Sequence, residues 1–85
     1  MSVKLLYFAW VREKVGCAEE TVELPAEAVT IADVIGWLKS RGPEYAAAFE
    51  RSEVIRAAID QMHVKHNVAV AGAREIAFFP PVTGG

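Results

Sequence analysis

The last six residues, Pro80-Pro81-Val82-Thr83-Gly84-Gly85, have types and an order suited to presenting a carboxylate. Proline fixes φ and lacks a backbone donor, so Pro80-Pro81 predicts the end of any strand before it and a stiff, polyproline-like spacer. The two glycines beyond it carry no Cβ atom and can take almost any backbone conformation. A stiff spacer with a slim tip can thread a terminal carboxylate into a narrow active site on another protein. The candidate reacting residue is therefore Gly85, with Pro80, Pro81, Val82, Thr83 and Gly84 as the segment that threads it. Residues 1–79 are expected to form one domain, and 80–85 a projecting tail.

Other chemistry-bearing residues point to less. His63 and His66 could give two metal ligands, but a zinc site needs three or four and no cysteine or carboxylate stands at ligand spacing, so no metal site is expected. Exposed histidines in a strand or turn are the plainer expectation. Cys17 has no neighbouring motif that would orient a base or depress its pKa, and is expected to be a loop or packing residue. Trp10 and Trp37 lack a basic groove that would make them a base-stacking platform. There is no Walker-type glycine loop, no Gly-x-Gly-x-x-Gly, and no serine–histidine–carboxylate grouping. No catalytic residue is assigned, so the chain reads as a protein cosubstrate without catalysis of its own.

Composition bounds the class. The chain has 85 residues, enough for one domain, and a formal charge of −2 with its basic residues scattered. That gives no electrostatic footprint for nucleic acid or an anionic membrane. No apolar run is long enough to span a bilayer and no signal peptide is apparent. The single cysteine cannot close an internal disulfide and agrees with a reducing compartment, so a cytoplasmic location is expected.

Three segments, in order, carry a family resemblance: Val3-Lys4-Leu5-Leu6-Tyr7-Phe8-Ala9-Trp10-Val11-Arg12-Glu13, Ile55-Arg56-Ala57-Ala58-Ile59-Asp60-Gln61, and Glu75-Ile76-Ala77-Phe78-Phe79-Pro80-Pro81-Val82-Thr83-Gly84-Gly85. Together they resemble the molybdopterin synthase small subunit, the MoaD-type sulfur carrier of the ubiquitin-like β-grasp group. Two departures stand out. Ala73-Arg74-Glu75 replaces a frequent Gly-Asp-Glu, and Asp60 replaces an asparagine.

The resemblance implies a reaction sequence. A carboxylate is a poor acyl donor, so an adenylating enzyme similar to ubiquitin-activating enzymes would use ATP to convert Gly85 to an acyl adenylate. A sulfur donor would then displace AMP and leave a thiocarboxylate. The implied acceptor is a cyclic pyranopterin in the active site of the synthase large subunit, within a heterotetramer of two small and two large subunits. No cofactor is expected to stay bound; ATP is consumed by the activating enzyme. The resemblance also makes Arg12 a partner contact, although with Glu13 it could equally be a solvated pair or a turn anchor. A thiamine-pathway sulfur carrier, a ubiquitin-like modifier joined to lysines, and an interaction module with an inert tail stay open.

The elements that must position the tail follow from periodicity. Val3–Trp10 reads as a strand, Arg12–Ala18 as a turn, and Glu20–Leu24 as a second strand closing a hairpin. Thr30 with Asp33 predicts a capped helix carrying Ile31, Val34, Ile35 and Leu38, stopped by Gly42-Pro43. Gly36 inside it costs about 1 kcal/mol relative to alanine, so close packing on the sheet is expected there. A short helix is expected over Glu44–Arg51, a third strand from Ile55 to Asp60, and the last strand over Glu75–Phe79. Gly72 reads as a turn residue. The expected class is α+β: a mixed sheet covered on one face by one main helix plus a short one. The resemblance makes it a β-grasp, with the first and last strands paired in parallel.

Strand parity adds a surface. Lysine is seldom buried, so Lys4 marks the uncovered face, and Leu6 and Phe8 share its side. Phe79 and Ala77 are placed there by the same parity. Leu6, Phe8, Ala77 and Phe79 then form an apolar patch at the start of the tail, with Phe8 and Phe79 as candidate docking residues. The competing expectation is that the small helix or a loop covers them.

Overall fold

The computed structural model describes residues 2–81. β1 (Ser2–Tyr7) and β5 (Glu75–Phe79) run parallel at the middle of a five-stranded mixed sheet. β2 (Glu19–Glu23) pairs antiparallel with β1, β3 (Arg56–Ile59) with β5, and β4 (Met62–Val64) with β3, giving the order β2-β1-β5-β3-β4. This is the ubiquitin-like β-grasp arrangement, with the parallel central pair as expected.

Alternation decides which side of the sheet is buried. Val3, Leu5 and Tyr7 of β1, Ile76 and Phe78 of β5 and Ala57 of β3 turn to the same face and into the core. The helices α1 (Ala9–Val15), α2 (Ile31–Lys39) and α3 (Pro43–Ala48) supply the other layer. Ile31, Val34, Ile35 and Leu38 recur at helical spacing along α2 and all join the core. Phe78 stacks on Tyr7 with centroids 6.3 Å apart and meets Phe49 edge-on at 5.3 Å. The Thr30 cap forms as the sequence predicts: its hydroxyl accepts the Asp33 N–H at 3.2 Å, and the Asp33 carboxylate accepts the Thr30 N–H at 3.1 Å.

Several sequence expectations are corrected. β1 ends at Tyr7, not Trp10, and the segment expected as a turn is the helix α1. Val11 and Val15, four residues apart, bury one side of it, while Gly16 ends it at φ 99°. The glycine was thus a helix stop, and the first hairpin contains a helix. α2 ends at Lys39, before Gly42-Pro43; Pro43 instead opens α3, where its missing donor costs nothing. α3 is shorter than expected, and a 3-10 turn at Ser52–Val54 follows. Gly36 is exposed, and a methyl added there would meet nothing within 4 Å, so close packing does not explain it.

β4 is an element that periodicity did not reveal. It is three residues long and joined to β3 by a two-residue turn, Asp60-Gln61, with φ of 48° and 72°. Two successive left-handed residues match the twist of the flanking strands, and aspartate tolerates that region better than most residues. The Asp60 carboxylate also accepts the Arg74 and Glu75 N–H groups at 3.0 and 2.9 Å. Both departures from the family pattern therefore meet at one place, where the turn fixes the start of β5. Gly72 does sit in a turn, at φ 81°.

Candidate functional site: the open sheet face at the root of the tail

Phe8 and Phe79 lie on the uncovered face, each one residue past the paired Tyr7 and Phe78. Phe8 is 48% exposed and Phe79 is half-buried, so neither ring is covered by a helix. The Phe8 N–H donates to the Phe78 carbonyl at 3.1 Å, which prolongs the parallel ladder to the point where the tail begins. Its own carbonyl accepts from the N–H groups of Val11 and Arg12 at 3.1 and 3.3 Å. The same residue thus ends a strand, starts a helix and borders the tail.

The change of direction is abrupt. The backbone strain there is carried by Ala9, whose φ of 53° lies in the left-handed region and is costly for a residue with a Cβ. Its small side chain limits that cost. Arg12, one helical turn on, is exposed, as are Glu13 and Lys14; the Lys14 ammonium lies 5.5 Å from the centre of the Trp10 ring. No ion pair involves Arg12 among the described residues.

The expected patch is real but not flat. Leu6 pairs with Ala77, and Ala77 with Ala58. Ala77 is 9% exposed and Ala58 5%, although both face away from the core, because longer neighbours shade these short side chains. Ala77 is therefore a floor residue and not the exposed contact that parity alone suggested. The His63 ring reaches over Ala58 and meets the Phe79 ring with centroids 5.1 Å apart. Arg56, the β3 partner of Phe79, is exposed on the same face. Ala58, Arg56 and His63 were missed as site residues. The alternation of β3 carried enough signal for the first two, whereas β4 is too short for periodicity to show.

His66 lies apart from His63. It is half-buried, with Nε2 2.7 Å from the Ile55 carbonyl oxygen, so the expectation that both histidines are exposed fails for this one. Among the described residues no group of three or more histidine, cysteine or acidic side chains could hold a metal ion. Pro80 and Pro81 leave the sheet without strand structure and are half-buried. Val82, Thr83, Gly84 and Gly85 lie outside the described residues.

The strongest polar cluster sits on the covered face, away from this patch. Glu20 of β2 accepts the Tyr7 and Tyr45 hydroxyls at 2.8 and 2.7 Å and pairs with Arg41 at 3.1 Å. Burial works to raise the Glu20 pKa, but the hydrogen bonds from Tyr45, Tyr7 and Arg41 outweigh it and hold the carboxyl below its usual range. Tyr45 is pushed up to about 12, by burial first and by its bond to Glu20 second. Cys17, half-buried nearby, is also raised, through burial and the Glu20 charge, which opposes thiolate chemistry. This cluster ties β1, β2 and α3 together.

Known proteins resemble the chain along nearly its whole length. The molybdopterin synthase sulfur carrier subunit of Escherichia coli is 35% identical over 83 residues, covering 98% of this chain and 99% of that one. The subunit of the same name from Haemophilus influenzae is 36% identical over 83 residues, with 98% and 99% covered. A solved Pyrococcus furiosus structure, assigned to molybdopterin converting factor subunit 1, superposes with a TM-score of 0.74 at 26% identity, covering 96% of this chain and 99% of that one. No helix among the described residues is long and apolar enough to cross a membrane. A match to the ThiS family runs over residues 5–85, and by that coverage and those relatives the chain belongs to the ThiS family.

Proposed function

We propose that this chain is a sulfur carrier of molybdopterin synthesis and that Gly85 holds the reacting carboxylate. The observation that carries this is the end-to-end match to relatives named molybdopterin synthase sulfur carrier subunit, within a family match that runs through residue 85. The chemistry follows from what a carboxylate lacks. Its charge repels nucleophiles and its oxygen leaves poorly, so ATP must convert Gly85 to an acyl adenylate on an activating enzyme. Sulfur from a donor then displaces AMP. The resulting thiocarboxylate is a strong nucleophile, as sulfur anions are, and passes its sulfur to a cyclic pyranopterin. Two such transfers make a dithiolene.

The large subunit of the synthase binds the pterin and supplies the acid–base groups, while the carrier contributes docking and delivery. Phe8, Phe79 and Arg12 are the docking residues, and residues 80–85 enter the partner's active site. Gly84 and Gly85 offer few side-chain contacts, and ordering them costs about 1–2 kcal/mol per residue. The apolar face beside the tail offsets that cost, and Pro80-Pro81 reduces it by stiffening the approach. The working assembly in this proposal is two carriers on two large subunits, in the cytoplasm.

The test is the intact mass of the protein after incubation with its activating enzyme, ATP and a sulfide source. The expected product replaces one carboxylate oxygen of Gly85 with sulfur, and removal of Gly85 abolishes it while leaving the fold intact. A lysine-linked product would instead establish a modifier, and an unchanged mass an interaction module.

A further inference from the structure

The open face divides into two unlike halves around Phe79. On the β1 side the residues nearest Phe79 are the apolar Leu6 and Phe8, with the Lys4–Glu19 pair farther along the strand. On the β3–β4 side lie Arg56 and His63, both exposed and both hydrogen-bond donors. Between them the alanine floor, Ala58 beside Ala77, is almost closed to solvent. The floor shapes the polar half. β4 is two strands away from β5, about 10 Å at the usual strand spacing. Yet the His63 and Phe79 rings are centred 5.1 Å apart, because nothing longer than a methyl stands between them. The imidazole is thereby held over the aromatic ring at the root of the tail.

Neither donor has an ion pair or side-chain hydrogen bond among the described residues. On the same face Lys4 pairs with Glu19 at 3.2 Å, and the Asp60 carboxylate takes two backbone amides. Arg56 and His63 both stand beside Phe79, at the end of β5.

We propose that Arg56 and His63 form a donor pair that selects the partner, and that the docking surface of the large subunit carries acidic or carbonyl acceptors opposite them. This rests on the carrier reading and specifies the partner's chemistry. Docking without such acceptors would bury an arginine and an imidazole unpaired, which is costly, so the pair discriminates between partners as well as attracting one. Arg56 acts chiefly before contact, by steering, and His63 after it, by a hydrogen bond at the edge of the apolar contact. The planar guanidinium opposite Phe79 suits a carboxylate with two parallel hydrogen bonds.

The experiment is surface plasmon resonance between the full chain and the large synthase subunit of the same organism, at about 0.05 M and about 0.5 M salt. For wild type, association should slow about tenfold at the higher salt. Arg56→Glu should associate about tenfold more slowly at low salt and lose most of that salt dependence. His63→Leu should dissociate about fivefold faster, and His63→Gln, which keeps a donor in place, should recover most of the lifetime. Both sites are exposed, and a melting curve for each variant checks that the fold is kept. If wild type binds, Phe79→Ala weakens it, and the Arg56 and His63 variants behave as wild type, the donor pair is wrong and the carrier reading stands. Tighter binding by His63→Leu also overturns the pair, because the partner site is then apolar. No binding by wild type overturns both readings.

Discussion

Phe78 and Phe79 are neighbours in sequence and face opposite sides of one strand, and the two surfaces they join are built on different principles. Phe78 is fully buried between Tyr7 and Phe49, in a layer where nearly every position on β1, β5 and α2 is aliphatic or aromatic. The polar groups on that side are satisfied within the chain, as Glu20 is by two tyrosines and an arginine. Phe79 sits over alanines, beside an imidazole and a guanidinium that have no side-chain partner among the described residues. In the proposed function one face is complete in itself and the other is completed by a partner. A surface that holds the fold together and one proposed to hold a partner would then share the same strands, separated by the thickness of the sheet.

The sharpest way to break that comparison is to truncate the two rings separately. Phe78→Ala should cost about 3–5 kcal/mol of unfolding free energy by urea denaturation, since it opens a cavity among rings that cannot collapse to fill it. Phe79→Ala should cost far less stability yet weaken binding to the large subunit by about 2 kcal/mol or more, measured by calorimetry. Equal stability losses in the two variants would end the distinction between the faces.

Next in size is Glu20→Gln, which keeps the shape of the covered-face cluster and removes its charge. Hydrogen bonds to a charged group contribute about 1.5–3 kcal/mol, and a loss toward the middle of that range is expected near neutral pH. The pH profile is the stricter check. Because the folded Glu20 carboxyl lies below its ordinary value of 4.5, its contribution is present above that value and disappears as pH falls through the folded pKa. Tyr45 is raised from 10.0 to about 12, so its contribution is present below 10 and is lost as pH climbs toward 12. Melting temperatures of wild type should fall at both ends, and the acid fall should be smaller in Glu20→Gln.

Asp60 tests how the open face is kept in register. Asp60→Ala removes the one oxygen, Oδ1, that accepts both the Arg74 and Glu75 amides and should cost about 1–2 kcal/mol, whereas Asp60→Asn, which keeps an acceptor oxygen there and tolerates positive φ, should lose much less. Equal losses would mean that the charge of the carboxylate matters, and that an acceptor oxygen with tolerance of positive φ does not replace it. The smallest effect is expected at the outer side of α2. Gly36→Ala meets no neighbour and should stabilise the protein by about 0.5–1 kcal/mol, read as a raised melting temperature. Destabilisation there would show that the outer side of α2 has no room for a methyl group.

Much of this architecture was legible because it depends on local chemistry. The Thr30–Asp33 cap and the helical recurrence of Ile31, Val34, Ile35 and Leu38 need only one turn of backbone to express themselves. The parity of β1 and β5 follows from alternation, and one lysine, Lys4, was enough to choose the open side and place Phe8 and Phe79 on it. What could not be read was decided by contacts distant in sequence. Arg12–Ala18 looked like a turn because two valines are too few to declare a helix; α1 exists because Val11 and Val15 find the core beneath them. β4 has three residues and is a strand only because β3 lies beside it. The sequence by itself determined the covered face, the open face and the end of the last strand before Pro80-Pro81, since periodicity and proline geometry are properties of neighbouring residues. Only the tertiary structure decided that His63 leans across Ala58 onto Phe79 and that Arg56 stands opposite, because strand pairing and register bring together residues from three separate strands.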